Sequence, residues 1–216
     1  MNLPKACIFD LDGVIVDTVD AHYHAWKAMA DELNIPFGEK ENEQLKGVSR
    51  IESMQRILGL GNVQKTDSEV LEFTTKKNAI YVDIISKMTP QDILPGVRGF
   101  IDLLKVNNIR IAIGSSSKNT PTILKAVGLD STFEVVIDGN KITNSKPHPE
   151  VFLKGADALA LSPEECVVLE DAVSGVEAAK RGGMKCIGIG DQNVLGDADL
   201  VVSDMSKENL IVLLAL

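Results

Sequence analysis

Residues 166–190 read CVVLEDAVSGVEAAKRGGMKCIGIG, and their pattern decides the fold. An apolar run, CVVL, ends on two acids, Glu170 and Asp171. A helical pattern follows, AVSGVEAAKRGG, with Gly182 where a helix C-cap is expected, and then a second apolar run, KCIGIG. Strands that are apolar throughout are buried on both faces, and strands joined through helices run parallel. The same unit recurs outward along the chain. ACIF, IRIAIG, FEVVID and DLVVSD are further apolar runs. VRGFIDLLKVNN, TPTILKAVG (closed by Gly128) and PEVFLKGADALA are helical patterns between them. This alternation predicts an α/β fold whose core is a doubly wound, Rossmann-like parallel sheet covered by helices on both faces.

Residues 17–88 break the pattern, because they contain no convincing strand. TVDAHYHAWKAMADELN places Val19, Tyr23, Trp26, Ala30 and Leu33 on one helical face, and Pro36 follows its end. SRIESMQRIL and TDSEVLEF open with Ser49/Glu52 and Thr66/Glu69, two capping-box patterns. TPQDILPG carries the chain back. The expected organisation is a catalytic core of residues 1–16 and 89–216, with a helical cap of residues 17–88 inserted after the first strand. A mobile helical domain over the strand ends is a natural lid.

A length of 216 residues suits one large domain, or one domain carrying a smaller insert. The net charge of −9 disfavours nucleic acid and anionic membranes as partners. An anionic ligand would therefore need local positive charge from a few placed Lys or Arg, or from a metal. Cys7, Cys166 and Cys186 are odd in number and sit in apolar runs, which suits buried, reduced thiols. MNLPKACIF lacks a signal-peptide layout, and no apolar stretch approaches the ~18 residues of a membrane span. A soluble cytoplasmic protein is expected.

In open α/β sheets ligands bind outside the carboxyl ends of the strands. Asp10 and Asp12 follow ACIF, Ser115–Ser117 follow IAIG, and Glu170–Asp171 follow CVVL. Lys146 stands in the loop SKPHP after VVID. Residues two apart on a strand point the same way, so Asp10 and Asp12 are expected to crowd each other. Four carboxylates together repel without a cation, and an all-oxygen set suits Mg²⁺. Ser115 and the neighbouring backbone N–H groups can bind a phosphate that Lys146 neutralises. An Asp beside such a metal can act as nucleophile, and the second Asp as general acid and base. Taken singly, these acids could cap helices and Lys146 could be a solvated loop residue. Their company favours chemistry.

Other readings carry less. His22 and His24 fall on different sides of a helix and make no paired metal site, and His148 between two prolines reads as a surface residue. GIGD lacks the third glycine and the ribose-binding acid of a dinucleotide fingerprint. Arg50, in the first turn of the helix opened by Ser49, opposes the macrodipole unless an anion binds there. Lys77 interrupts a stripe of Val70, Phe73, Ile80, Ile84 and Met88, where a polar residue must be solvated, paired or used.

Four stretches, DLDGV, GSSSKN, SKPHPEVF and LEDAVSGVEAA, occur in an order and at spacings that resemble the haloacid dehalogenase superfamily. The resemblance implies Asp10 as nucleophile, Asp12 as acid/base, and Ser115 and Lys146 as catalytic phosphate-handling residues. It also implies Mg²⁺ on Asp10, the Asp12 carbonyl, Glu170 and Asp171. Asp12 argues against the dehalogenase and phosphonatase branches, which lack the second Asp. The insert stretches YHAWKAMADE, NEQLKGVSR and KKNAIYV are similar to the cap of the β-phosphoglucomutases.

By that similarity Arg50, Ser117 and Asn119, with Lys118 in the same loop, would hold a non-transferring phosphate. His22, Trp26, Lys46, Gly47, Val48, Ser49 and Lys77 would shape the sugar pocket. The expected activity is an Mg²⁺-dependent interconversion of β-D-glucose 1-phosphate and 6-phosphate, with β-glucose 1,6-bisphosphate as intermediate and activator. A small sugar phosphate is then the partner, and a monomer is expected. The rivals are a sugar-phosphate phosphatase with the same core and a non-catalytic phosphosugar-binding protein.

Overall fold

The computed structural model describes residues 3–206; the assignment of residues 1, 2 and 207–216 to the core lies outside the described residues. Six strands form one sheet: β1 (Ala6–Phe9), β2 (Arg110–Gly114), β3 (Val135–Ile137), β4 (Cys166–Glu170), β5 (Lys185–Ile189) and β6 (Leu200–Val202). Their order is β3-β2-β1-β4-β5-β6, and every pairing is parallel. The order reverses between β1 and β4, which makes the carboxyl ends of these two strands the switch point. Phe9 lies opposite both Ile113 and Leu169, so the chain leaves β1, β2 and β4 at nearly one level.

Alternation along β1 divides the core. Cys7 and Phe9 face one buried layer with Phe100, Leu104, Ile123 and Leu124, which come from α5 (Val97–Val106) and α6 (Thr120–Ala126). Ala6 and Ile8 face the other, with Val151, Phe152, Val176 and Ala179 of α7 (Glu150–Ala158) and α8 (Val173–Arg181). Each fully buried Phe or Ile contributes about 1.5–3 kcal/mol relative to an exposed one. α8 ends at Gly182 as read, although the left-handed residue is Gly183, with φ +74°.

Between β1 and α5 lie four α-helices with no strand among them: α1 (Val19–Glu32), α2 (Glu39–Glu43), α3 (Arg50–Leu60) and α4 (Asp67–Ile85). They enclose their own apolar cluster of Trp26, Met29, Phe37, Met54, Ile57, Val70 and Phe73. The expected faces shift in two of them. In α1 the buried residues are Ala21, Ala25, Trp26, Met29 and Ala30, while Val19, Tyr23 and Leu33 are half-buried. The helix serves two partners, since Ala21 and Ala25 pack with the sheet and Trp26 with the insert. In α4 the buried stripe is Val70, Phe73, Thr74, Lys77, Tyr81 and Ile85, and Ile80, Ile84 and Met88 pack only in part. Thr66 and Glu69 form the reciprocal capping box. Ser49 caps α3 by accepting from Glu52 N at 3.2 Å, but the Glu52 side chain turns to Arg56 instead of closing the box. Among the described residues no helix is long and apolar enough to cross a membrane.

Candidate active site

Asp10 follows β1, Ser115 follows β2 and Glu170 ends β4, so three neighbouring strands deliver them together. Lys146 reaches in beneath them from the loop before α7. Its Nζ lies 2.5 Å from Asp10 Oδ1 and 2.5 Å from Glu170 Oε1, and 4.7 Å from the centre of the Phe152 ring. Lys146 and Glu170 are fully buried, and Glu170 Oε2 also accepts from Ala172 N at 2.7 Å. Carboxylate oxygens of Asp10, Glu170 and Asp171 all come within 4.8 Å of one another.

Burial raises Asp10 well above the usual carboxylate range, and Glu170, Asp12 and Asp171 push the same way against Lys146. Asp171 is raised to about 7, by burial first and by the Glu170 charge second. Burial opposes the charge on Lys146, but Asp10 and Glu170 outweigh it and hold the ammonium firmly protonated. Two cations thus face three crowded acids, Lys146 beside Asp10 and Glu170 and Lys46 beside Asp171. A hard divalent ion fits this all-oxygen set, and Asp10, Glu170 and Asp171 are the side chains that would hold it.

The carboxylate of Asp12 points elsewhere, contrary to the expected crowding with Asp10. β1 stops at Phe9, and Asp12 lies beyond it in an isolated bridge with Val16, so strand alternation no longer applies. Asp12 Oδ1 accepts from Thr18 Oγ1 at 2.5 Å and from Tyr81 Oη at 3.4 Å, and His22 Nε2 stands 4.0 Å away. Burial raises its pKa, and the bond from Thr18 opposes that shift. The crowded acids are Asp10, Glu170 and Asp171.

The insert forms the opposite wall. Lys77 Nζ lies 3.0 Å from His22 Nδ1, over the rings of Trp26 at 4.8 Å and Tyr81 at 4.4 Å. Burial lowers Lys77 to about 7, with the Arg50 charge adding to it. Burial, then Lys77 and Arg50, lower His22 well below its ordinary value. When Nδ1 accepts from Lys77, the His22 ring proton sits on Nε2, the nitrogen facing Asp12. Arg50 is the first residue of α3, and among the described residues no carboxylate pairs with it. Lys46 Nζ lies 3.0 Å from Glu43 and 3.3 Å from Asp171, while its carbonyl accepts from Ser174 Oγ at 3.0 Å. At Gly47, φ is +74° and an added Cβ would lie 2.3 Å from Ser174 Oγ, so this strap lies against the core only with glycine there.

A cavity of about 390 Å³ separates the walls. Asp10, Asp12, Asp171, Ser115, Ser117, Lys118 and Asn119 line one side, and His22, Trp26, Lys46, Gly47, Val48, Ser49, Arg50 and Lys77 the other. Of the catalytic, binding and metal residues expected from the sequence, Lys146 and Glu170 do not line it; they lie behind Asp10.

A family model described as haloacid dehalogenase-like hydrolase matches residues 7–189. The chain is 43% identical to the β-phosphoglucomutase of Bacillus subtilis (strain 168) over 95% of its length and 93% of that protein's. The chain belongs to the haloacid dehalogenase-like hydrolases.

A solved β-phosphoglucomutase structure from Clostridium difficile matches this member of the family with a TM-score of 0.93 and 38% identity, covering 99% of this chain and 98% of that one. A phosphorylated carbohydrates phosphatase of Thermotoga maritima is 29% identical over 85% of the chain and 83% of its own length. Three site residues of this haloacid dehalogenase-like hydrolase escaped the sequence reading. Thr18 is buried against Asp12, and Asn78 Oδ1 accepts from Asn119 Nδ2 at 2.9 Å, a bond between insert and core. Tyr81 stands four residues after Lys77, on the same helical face, and that spacing was a usable signal. Nothing local marks Thr18 or Asn78, because their partners arrive from other elements.

Proposed function

We propose that this enzyme is a phosphomutase that interconverts β-D-glucose 1-phosphate and β-D-glucose 6-phosphate through β-glucose 1,6-bisphosphate, with residues 17–88 moving as its cap. One observation carries the reading: a single cavity has a phosphoryl-handling wall of acids and serines and, facing it, a basic wall built around Arg50 and Lys77. A ligand with a phosphate at each end matches two such walls. The names of the relatives in B. subtilis and C. difficile support the same choice.

Asp10 attacks phosphorus; its carboxylate oxygen gains the bond that the sugar oxygen loses. Asp12, whose burial favours the protonated form, gives its proton to that departing oxygen. The phosphorus attacked is one of the bisphosphate's two, so the sugar departs as a monophosphate. Asp12 then takes the proton from the free hydroxyl of an incoming β-glucose 1-phosphate, and that oxygen takes the phosphoryl group from Asp10. The bisphosphate so re-formed turns end for end. Thr18, Tyr81 and His22 hold Asp12 toward the cap, where the sugar lies, and away from the acids around Lys146. Lys146 and Ser115 steady the phosphoryl oxygens. A divalent ion on Asp10, Glu170 and Asp171, when bound, supplies charge neutralisation for the incoming phosphoryl group. Closure of the cap must exclude water, or the aspartyl-phosphate would hydrolyse.

A phosphatase would use the same acids, and the relative in Thermotoga maritima carries that name. Incubation with β-glucose 1-phosphate, Mg²⁺ and a trace of the bisphosphate separates the two. Glucose 6-phosphate should accumulate well ahead of free phosphate, with a dependence on the bisphosphate. Steady phosphate release without that dependence would reject the mutase.

A further inference from the structure

Among the described residues, Ser116 Oγ is the one buried side-chain polar atom without a hydrogen-bond partner. Its neighbours in the turn after β2 are all committed. Ser115 Oγ accepts from Ser117 N at 3.1 Å, Ser117 Oγ accepts from Asn119 N at 3.2 Å, and Ser117 O accepts from Thr120 Oγ1 at 2.9 Å and from Gly139 N at 3.1 Å. Among the described residues no group accepts from the Ser116 N–H either. A buried hydroxyl without a partner destabilises the protein that carries it, and such groups call for a physical reason.

The reason lies in where the turn stands. Ser116 lines the cavity together with Asp10 and Ser115. Ile113 is level with Phe9 across the β1–β2 pair, so the turn rises beside Asp10. We propose that the Ser116 hydroxyl is an additional donor to the phosphoryl group carried by Asp10, turning about χ1 to join the backbone N–H groups of its turn on the phosphoryl oxygens. An anion with several acceptor oxygens can take both donors of this one residue at once. The turn is held open for this. Gly139 has no side chain, and a Cβ there would lie 2.3 Å from Ser116 O. This inference rests on the phosphotransfer reading above and adds to it a donor whose empty-site cost is repaid only by ligand.

The test uses the full-length protein with Mg²⁺ and fluoroberyllate, which mimics a phosphoryl group on a carboxylate, and compares wild type with Ser116→Ala and Ser116→Thr. Ser116→Ala should lose about tenfold or more in fluoroberyllate affinity, the usual weight of one hydrogen bond to a charged group. Its unliganded melting temperature should be unchanged or higher, because the hydroxyl it removes was unsatisfied. Ser116→Thr, which keeps the hydroxyl, should restore most of the affinity. Equal affinity in wild type and Ser116→Ala overturns the proposal. So does a lower unliganded melting temperature in Ser116→Ala, which would mean that the hydroxyl is part of the scaffold. Failure of the wild-type protein itself to bind fluoroberyllate would instead overturn the phosphotransfer reading, and this proposal with it.

Discussion

Lys77 Nζ lies 3.0 Å from His22 Nδ1, so an amine and an imidazole share one buried contact, and among the described residues no carboxylate forms an ion pair with Lys77. Only 2% of Lys77 is exposed. The pair sits beside Arg50 and makes the insert wall cationic and under-neutralised.

The first prediction concerns the pH dependence of stability. Lys77 titrates near 10.5 when unfolded and about 7 when folded, so between these values the unfolded chain binds the extra proton. The penalty is full below about pH 7 and is relieved as pH rises toward 10.5. Lys77→Met removes it. The unliganded variant should be more stable than wild type at pH 6, by an amount on the order of a few kcal/mol, with the gain shrinking by pH 10. Urea titrations at several pH values read this directly; a pH-independent difference would contradict the buried, cationic Lys77.

Arg50 adds to this charge without a protein partner, so its removal should cost binding rather than fold. Arg50→Ala should weaken bisphosphate affinity by about tenfold or more, the scale of a charge-assisted bond, with the melting temperature held within a degree or two. An unchanged affinity in calorimetry would remove Arg50 from the phosphate site.

Metal binding should displace protons from the acids. Asp171 is raised to about 7 when folded against 3.8 unfolded, so the folded protein holds the extra proton between these values and loses stability as pH rises through them. A divalent ion reverses this loss. Mg²⁺ affinity should therefore climb as pH rises toward and through about 7, with proton release visible as different binding heats in buffers of different ionisation enthalpy. A flat affinity from pH 5.5 to 8 would count against this acid set as the metal's.

Gly139 offers a steric test of the serine turn. Its missing Cβ leaves room for Ser116 O at 2.3 Å and Lys118 N at 3.0 Å. Gly139→Ala must push the serine turn away, at a cost of about 1–3 kcal/mol, and should reduce turnover more than it reduces stability. Wild-type rates in that variant would show that the turn tolerates displacement.

Much of this was legible in the chain. Short apolar runs such as CVVL and KCIGIG can be buried only as central parallel strands, and acids and serines placed after them must meet at one sheet edge. The cap wall was legible only in part. Lys77 stood out because a charge in an apolar stripe is costly, whereas Asn78 looked like any helix-surface amide.

What the sequence determined by itself was composition, periodicity and order: which segments are strands, and which acids end them. Only tertiary structure decided direction. It turned Asp12 toward Thr18 and Tyr81 while Asp10 turned to Lys146, because β1 ends at Phe9 and the chain beyond it no longer alternates. It also left Ser116 without a partner among three serines that read alike, since partners in that turn are assigned by packing, which no local pattern encodes.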